Sequence, residues 1–326
     1  MEPEFRDRIF AAGQDEFESL ALKIFHFQYA NNALYKNYVD TLGILTAEIN
    51  QISRIPFLPI QFFKQFKVTT TDFFPEAIFE SSGTTGVETS KHFIKELAIY
   101  QTSFIKGFET FYGPVSDWCI IALLPSYLER QHSSLVFMVN ELISKSASPD
   151  SGFYLHDFAS LAATLSKLER KKQKTLLIGV SFALLDFVES YPMKLNHTII
   201  METGGMKGRK KEITRRELHN RLKDKFGVDN IHAEYGMTEL LSQAYSKKEG
   251  IFWPAPSMRV FVRMDDDPLE VRPSGEGVLN IIDLANLYSV SFIATEDMGK
   301  IADDGSFEIA GRLDHSDIRG CSQLFI

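Results

Sequence analysis

Four short segments of the chain carry residues able to bind a ligand or take part in a reaction. The first is Ser81-Ser82-Gly83-Thr84-Thr85-Gly86, four hydroxyls beside two glycines. Glycine lets backbone amides fold into a concave nest that suits an anion, and the hydroxyls add donors for phosphate oxygens. No Gly-Lys-Ser/Thr follows, so this is not a Walker loop, and a hydroxyl-rich hairpin turn fits the same residues. The second segment, Tyr235-Gly236-Met237-Thr238-Glu239, sets a hydroxyl beside a carboxylate, a pair that serves phosphate and magnesium. Read alone, it is equally a threonine-capped turn between strand and helix. The third, Glu202-Thr203-Gly204-Gly205-Met206, has paired glycines that leave room for a flat ring, or that simply make a connecting loop. In the fourth, Thr295-Glu296-Asp297 precedes Gly311-Arg312-Leu313-Asp314. A carboxylate accepts from both ribose hydroxyls and an arginine is a fixed donor fork, though either also occurs as surface charge in a hairpin.

The elements around these segments decide where they fall. Phe17, Leu20, Ile24 and Phe27 recur at three- and four-residue spacing, which predicts a helix with one apolar face. Pro56 and Pro59 then break helical continuity. Apolar runs at 118–124, 175–179, 198–202 and 231–234 read as strands, with helical spacing between them at 135–143, 184–188 and 213–226. That alternation predicts an α/β fold, a mostly parallel sheet covered by helices on both faces. Ligands of such sheets gather at the carboxyl ends of the strands, where the second and third segments lie. Short runs at 258–262, 278–282 and 289–294, punctuated by Asp267-Pro268, Pro273-Ser274-Gly275 and Asp303-Asp304-Gly305, predict a C-terminal antiparallel β subdomain. The predicted organisation is a core over 1–310, comprising a helical lead-in to about 75, an α/β part over about 76–245 and a β-rich part over about 246–310. A short tail, 311–326, follows.

Bulk composition narrows the class without choosing a chemistry. The 326 residues are 44% hydrophobic, enough for a large core. A net charge of −8 and the lack of a long basic face argue against nucleic acid as a partner; the basic run from Lys207 to Lys211 reads as a local solvated loop. With Cys119 and Cys321 as the only cysteines, neither a disulfide framework nor a cysteine-based zinc site is expected. The acidic start argues against a secretory leader, and no apolar run approaches the ~20 residues of a membrane span. A cytoplasmic location is expected.

In this order, the four segments resemble the motifs of the adenylate-forming superfamily, which includes acyl-CoA synthetases, peptide-synthetase adenylation domains and firefly luciferase. The resemblance runs from about residue 79 onward and implies that superfamily's N-terminal-domain fold, with ATP and Mg2+ as cofactors. It implies phosphate contacts for Ser81, Ser82, Gly83, Thr84, Thr85 and Gly86, and adenine beside Gly204, Gly205 and Met206. Tyr235, Gly236 and Met237 would complete the nucleotide site, with catalytic roles for Thr238 and for Glu239, the metal-holding acid. Asp297 looks like the ribose-binding acid, and Arg312 and Asp314 look like the arginine and hinge of the Gly-Arg-x-Asp motif. Two departures stand out. Val87-Glu88-Thr89 replaces the usual x-Pro-Lys, and the superfamily's C-terminal lid domain, whose lysine orients the substrates, has no expected counterpart after Asp314. Lys91 or Lys207 are the stand-ins for that lysine offered by the sequence.

The Phe- and Pro-rich stretch 56–64 and the ending Arg319-Gly320-Cys321-Ser322 are similar to the acyl-protein synthetases of bacterial luminescence. Members of that family activate a fatty acid with ATP and pass the acyl group to their own C-terminal cysteine, from which a partner reductase receives it. The resemblance therefore implies Cys321 as the acyl-accepting thiol, its thiolate favoured by Arg319, against the alternative of an inert terminal cysteine. Cys119, inside an expected strand, reads as structural. His132, just past Pro125 at another strand end, is a candidate for the acyl pocket or an ordinary surface histidine. The expected function is ATP-dependent activation of a fatty or other carboxylic acid, followed by transfer to a protein thiol and then to an acceptor such as a reductase. Two rivals remain: an acyl-CoA or aryl-CoA ligase of the phenylacetate type, and a non-catalytic nucleotide-binding subunit that needs a partner chain.

Overall fold

A computed structural model describes residues 2–11, 13–81, 89–124, 132–155, 157–204, 213–264 and 267–313. The lead-in holds helices α1 (Glu2–Ile9), α2 (Gln14–Asn31) and α3 (Ala33–Thr41), a short strand β1 (Leu58–Pro59) and a one-turn helix α4 (Phe62–Gln65). A hairpin follows, β2 (Ala77–Glu80) and β3 (Lys91–Ile94), then α5 (Leu97–Tyr112), β4 (Cys119–Leu123), α6 (Ser134–Lys145), β5 (Gly152–Phe153) and α7 (Phe158–Arg170). Next come β6 (Thr175–Val180), α8 (Ser181–Ser190), β7 (Thr198–Thr203), α9 (Arg215–Phe226) and β8 (His232–Tyr235). The β-rich part comprises β9 (Ala244–Ser246), β10 (Phe252–Pro254), β11 (Met258–Arg263), β12 (Val271–Arg272), β13 (Gly275–Asp283), β14 (Phe292–Ile301) and β15 (Phe307–Arg312).

The strand runs expected from the sequence are β4, β6, β7 and β8, and they pair in parallel in the order β4-β6-β7-β8. They read as unbroken apolar runs because both faces are buried. Ile120, Ala122, Leu176, Ile178 and Met201 face one core, shared with Phe104 and Phe108 of α5 and Met138 and Leu142 of α6. Cys119, Ile121, Leu123, Leu177 and Ile200 face a second core with Leu161 and Leu165 of α7, Leu184 of α8 and Leu222 of α9. Thr214 caps α9 by accepting the Glu217 amide at 3.2 Å, and Gly227 closes that helix at φ +62°.

The antiparallel structure expected beyond residue 246 joins the same sheet. Its order among the described residues is β12-β11-β13-β14-β15-β10-β9-β8-β7-β6-β4-β5, with β1 added in parallel to β14. The lead-in braces this half: Gln28 of α2 is buried, donates to the Asn286 and Leu287 carbonyls at 3.0 and 3.1 Å, and accepts the Ser291 amide at 2.9 Å. No helix among the described residues is long and apolar enough to cross a membrane.

Candidate functional site

The carboxyl ends of β7 and β8, the neck of the β2–β3 hairpin, and the facing part of β14–β15 meet at one place. Tyr235 ends β8 and is buried; its hydroxyl donates to Asp297 Oδ2 at 2.8 Å. Arg312, paired with Asp297 across β14–β15, donates from Nε to Oδ1 at 3.3 Å. Burial drives the Tyr235 phenol well above its usual range, and the Asp297 charge adds to it, so this hydroxyl is a donor at physiological pH. Two of the four sequence segments, 62 residues apart, are thus joined by one hydrogen bond. Asp297 keeps acceptor capacity beyond its two partners, since a carboxylate offers about four lone-pair directions.

Thr238 is half-buried and Glu239 is buried. The hairpin strand β3 reaches both. Ser90, His92 and Ile94 turn inward in alternation, at 1%, 1% and 3% exposure. The His92 Nδ1 lies 2.9 Å from the Thr238 carbonyl oxygen, which can only accept, so Nδ1 carries the hydrogen. Nε2 is then the acceptor for the Ser289 hydroxyl at 3.0 Å. Burial lowers the His92 pKa to about 4, which keeps that neutral tautomer. The Ser90 hydroxyl donates to the Glu239 carboxylate, while burial raises the Glu239 pKa and the cations of Arg312 and Lys64 oppose that rise.

Ser81 stands at the hairpin neck, where its amide donates to the Ser90 carbonyl at 3.1 Å and its hydroxyl accepts the Ser90 amide at 2.9 Å. Its hydroxyl proton is left to point elsewhere. Ser82, Gly83, Thr84, Thr85 and Gly86 lie outside the described residues. The neck nonetheless fixes where that loop leaves and returns, beside Thr238 and Glu239. Gly204 ends the β7 segment at φ +70°, a left-handed conformation that favours glycine, and its carbonyl accepts the Ser181 hydroxyl at 2.9 Å. Gly205 and Met206 lie outside the described residues, as do Lys207, Asp314 and Cys321. A Cβ at Gly236 would sit 2.5 Å from Glu234 Oε1, so a side chain there requires the Glu234 carboxylate to shift. Met237 is half-buried and packs on the main core.

His132 is exposed, and its backbone carbonyl accepts the Glu80 amide at 2.8 Å, which puts it beside the end of β2. Cys119 is fully buried and packs in the second core, matching its structural reading. Lys91 reaches only a 4.0 Å approach to Glu80 with half its side chain exposed. Magnesium is usually held by one or two carboxylates plus substrate phosphates, and the buried carboxylate of Glu239 fits an ion carried in by a polyphosphate. Among the described residues no group of three or more His, Cys, Asp or Glu could hold a metal by itself.

Sequence reading missed several residues that shape the site, Ser90, His92 and Glu234 among them. Glu234 precedes the aromatic of the second segment, is buried, and accepts the Thr203 hydroxyl at 2.5 Å. Burial, aided by the Glu202 charge, raises its pKa to about 7, against the pull of Thr203. The folded state therefore holds this proton more tightly than the unfolded chain. Stability associated with it is full below the unfolded value near 4.5 and is lost as pH rises through about 7. Glu234→Gln is expected to remove a decline in unfolding free energy between those limits, at most about 1.4 kcal/mol per pH unit. Urea titrations at several pH values check this, and parallel wild-type and variant profiles would refute it.

The sheet order, and the clustering of these motifs at strand ends around Tyr235 and Asp297, define the class: the fold is that of an adenylate-forming enzyme's N-terminal domain. It is similar to ATP-bound MatB from Rhodopseudomonas palustris (TM-score 0.56, 18% identity, covering 74% of this chain and 50% of that one). It is also similar to the luciferase-like enzyme of the nonluminescent mealworm Zophobas morio (0.51, 18%, 77% and 61%). A third similar structure is O-succinylbenzoate coenzyme A synthetase, MenE, from Bacillus subtilis in complex with AMP (0.50, 18%, 74% and 49%). The chain spans about half the length of MatB. No curated protein matches its sequence. The family described as acyl-protein synthetase, LuxE, matches residues 11–325, and the chain belongs to it.

Proposed function

We propose that this enzyme uses Mg-ATP to convert a carboxylic acid, a fatty acid in the first instance, to an acyl-adenylate, and then passes the acyl group to the Cys321 thiol. The single observation that carries the reading is the meeting of Tyr235, Asp297 and Arg312 beside Thr238 and Glu239. It supplies an acceptor for ribose hydroxyls and, next to it, a hydroxyl and a carboxylate for phosphate and its metal. In the reaction a carboxylate oxygen bonds to the α-phosphorus and the bond to pyrophosphate breaks. Asp297 orients the ribose, and the hydroxyls and amides of residues 81–86 hold the departing phosphates. Thr238 donates to phosphate, and Glu239 would hold magnesium, which when bound neutralises phosphate charge. Such a site works by positioning and preorganised charge, without a dedicated base. The thiolate of Cys321 then attacks the acyl carbon, a thioester forms and AMP leaves. A reductase that accepts the acyl group, and a cytoplasmic setting, belong to the same reading.

The test is carboxylate-dependent exchange between ATP and pyrophosphate, run with fatty acids of rising length and several aromatic acids. Exchange that requires a particular acid is expected. Cys321→Ser should keep that exchange and lose stable labelling of the protein by radioactive acid. Labelling that persists in Cys321→Ser would remove the thiol from the scheme, and release of a coenzyme A thioester would move the enzyme to the coenzyme A ligases. Nucleotide binding with no exchange for any acid would favour a partner-dependent subunit.

A further inference from the structure

The polyphosphate end of this site calls for a cation that is not committed to a protein carboxylate. Mg-ATP carries net negative charge even after the metal is counted, and phosphate sites offset such charge with lysine or arginine. Arg312 already donates to Asp297 at 3.3 Å. Lys91 lies 4.0 Å from Glu80, Lys67 sits over the Phe93 ring at 5.7 Å, and Lys95 sits over Tyr288 at 4.0 Å.

Lys64 differs from all of these. It lies on α4, and α4 is held at the site from both sides. On one side β1 runs parallel to β14, pairing Pro59 with Ala294, and the Ile60 amide donates to the Ala294 carbonyl at 2.9 Å. Gln61 continues that attachment, donating from Nε2 to Glu296 Oε1 at 2.5 Å, one residue before Asp297. On the other side Phe63 is buried and meets the His92 ring edge-on at 5.5 Å between centroids, and His92 holds the Thr238 carbonyl. The turn is therefore pinned between the acid of the ribose motif and the hydroxyl of the phosphate motif. Lys64 follows immediately, exposed, with no ion pair to any described residue. Its charge is nevertheless felt at the Glu239 carboxylate, alongside that of Arg312.

We propose that Lys64 is the cation that meets the phosphates of Mg-ATP in this enzyme, a catalytic residue supplied by the lead-in helix turn. The proposal rests on the adenylating reading above and adds to it the source of the positive charge. Lysine suits the task as a compact point charge on a flexible stem, able to follow phosphate oxygens as the α-phosphorus changes partners. Sequence reading offered Lys91 or Lys207 as stand-ins for the substrate-orienting lysine. The geometry favours α4, because Gln61 just before it and Phe63 within it already touch the neighbours of Asp297 and Thr238.

The test compares Mg-ATP and AMP affinities, by calorimetry, for wild type, Lys64→Gln, Lys64→Arg and the controls Lys67→Gln and Lys91→Gln. Thermal melts accompany each variant, and Lys64→Gln is expected to melt as wild type because Lys64 is exposed. Lys64→Gln should weaken Mg-ATP about ten-fold while AMP changes less than about two-fold, with Lys64→Arg recovering most of the loss. Both controls should keep the wild-type ratio of the two affinities. An unchanged ratio in Lys64→Gln, or loss of the ratio in Lys91→Gln alone, overturns the proposal. Acid-dependent pyrophosphate exchange, run in parallel, separates the two claims. A wild type that binds Mg-ATP yet exchanges with no acid sinks the adenylating reading while the affinity ratio still judges Lys64. A wild type that binds neither nucleotide overturns both.

Discussion

Asp283→Ala is expected to lower the melting temperature by on the order of 10 °C and to weaken Mg-ATP binding with it. Asp283 ends β13 and is fully buried. Its Oδ2 accepts the Leu241 and Ser242 amides at 2.7 and 2.8 Å, and its Oδ1 accepts the Ser242 hydroxyl at 2.6 Å and the Ala285 amide at 3.0 Å. One carboxylate thus ties the turn after Glu239 to the end of β13. Three residues on, Asn286 donates to the Glu239 carbonyl itself at 2.8 Å. Burial raises the Asp283 pKa even against these donors, so the carboxylate is retained at an energetic cost.

Truncation to alanine leaves three buried amides without an acceptor, while the Ser242 hydroxyl can turn to Ser103 or Ser257. Each orphaned donor costs roughly 1–3 kcal/mol, partly recovered if water fills the space, so a net loss of about 4 kcal/mol is expected. That is a large share of the ~5–15 kcal/mol by which a domain is stable, and at about 2–4 °C per kcal/mol it gives the shift quoted. Differential scanning calorimetry with and without Mg-ATP checks it. A melting temperature within about 2 °C of wild type would mean that the turn has another anchor.

This buried tether explains which parts of the site were legible in the sequence. Tyr235, Gly236 and Glu239 stand together in the chain, so a local pattern offered them, and the other segments were needed to tell it from a capped turn. The same holds for the strands β4, β6 and β7, whose apolar runs follow from burial on both faces. The expected strand 278–282 stops one residue short of Asp283, the acid that receives amides from 41 and 42 residues earlier in the chain. His92 is not legible locally either. In the strand Lys-His-Phe-Ile its partner, Thr238, is 146 residues away, and no local pattern states it. Polar groups that act across the fold are read from the chain only when their own neighbours also carry chemistry.

Asp297→Asn, in contrast with the lysine variant, is expected to weaken ATP and AMP equally, by roughly 100-fold each, with little change in thermal stability. The carboxylate lies between the Tyr235 hydroxyl at Oδ2 and Arg312 Nε at Oδ1. Asparagine keeps the shape and one carbonyl oxygen, so one of these partners is still served, but the acceptor strength and half the lone pairs are gone. Hydrogen bonds to a charged acceptor contribute about 1.5–3 kcal/mol each, and two ribose hydroxyls would bond to this one group. Losing most of that gives the factor of ~100 at 1.4 kcal/mol per ten-fold. Since the ribose is common to ATP and AMP, the loss should not distinguish them. The sharper check uses 2′-deoxy-ATP. Wild type should bind it well below ATP, and Asp297→Asn should bind the two almost alike, because the group that tells them apart has been removed. If the variant still prefers ATP by the wild-type margin, the ribose lies elsewhere, and the Tyr235–Asp297–Arg312 chain is a structural link between β8 and β14 rather than part of the nucleotide site.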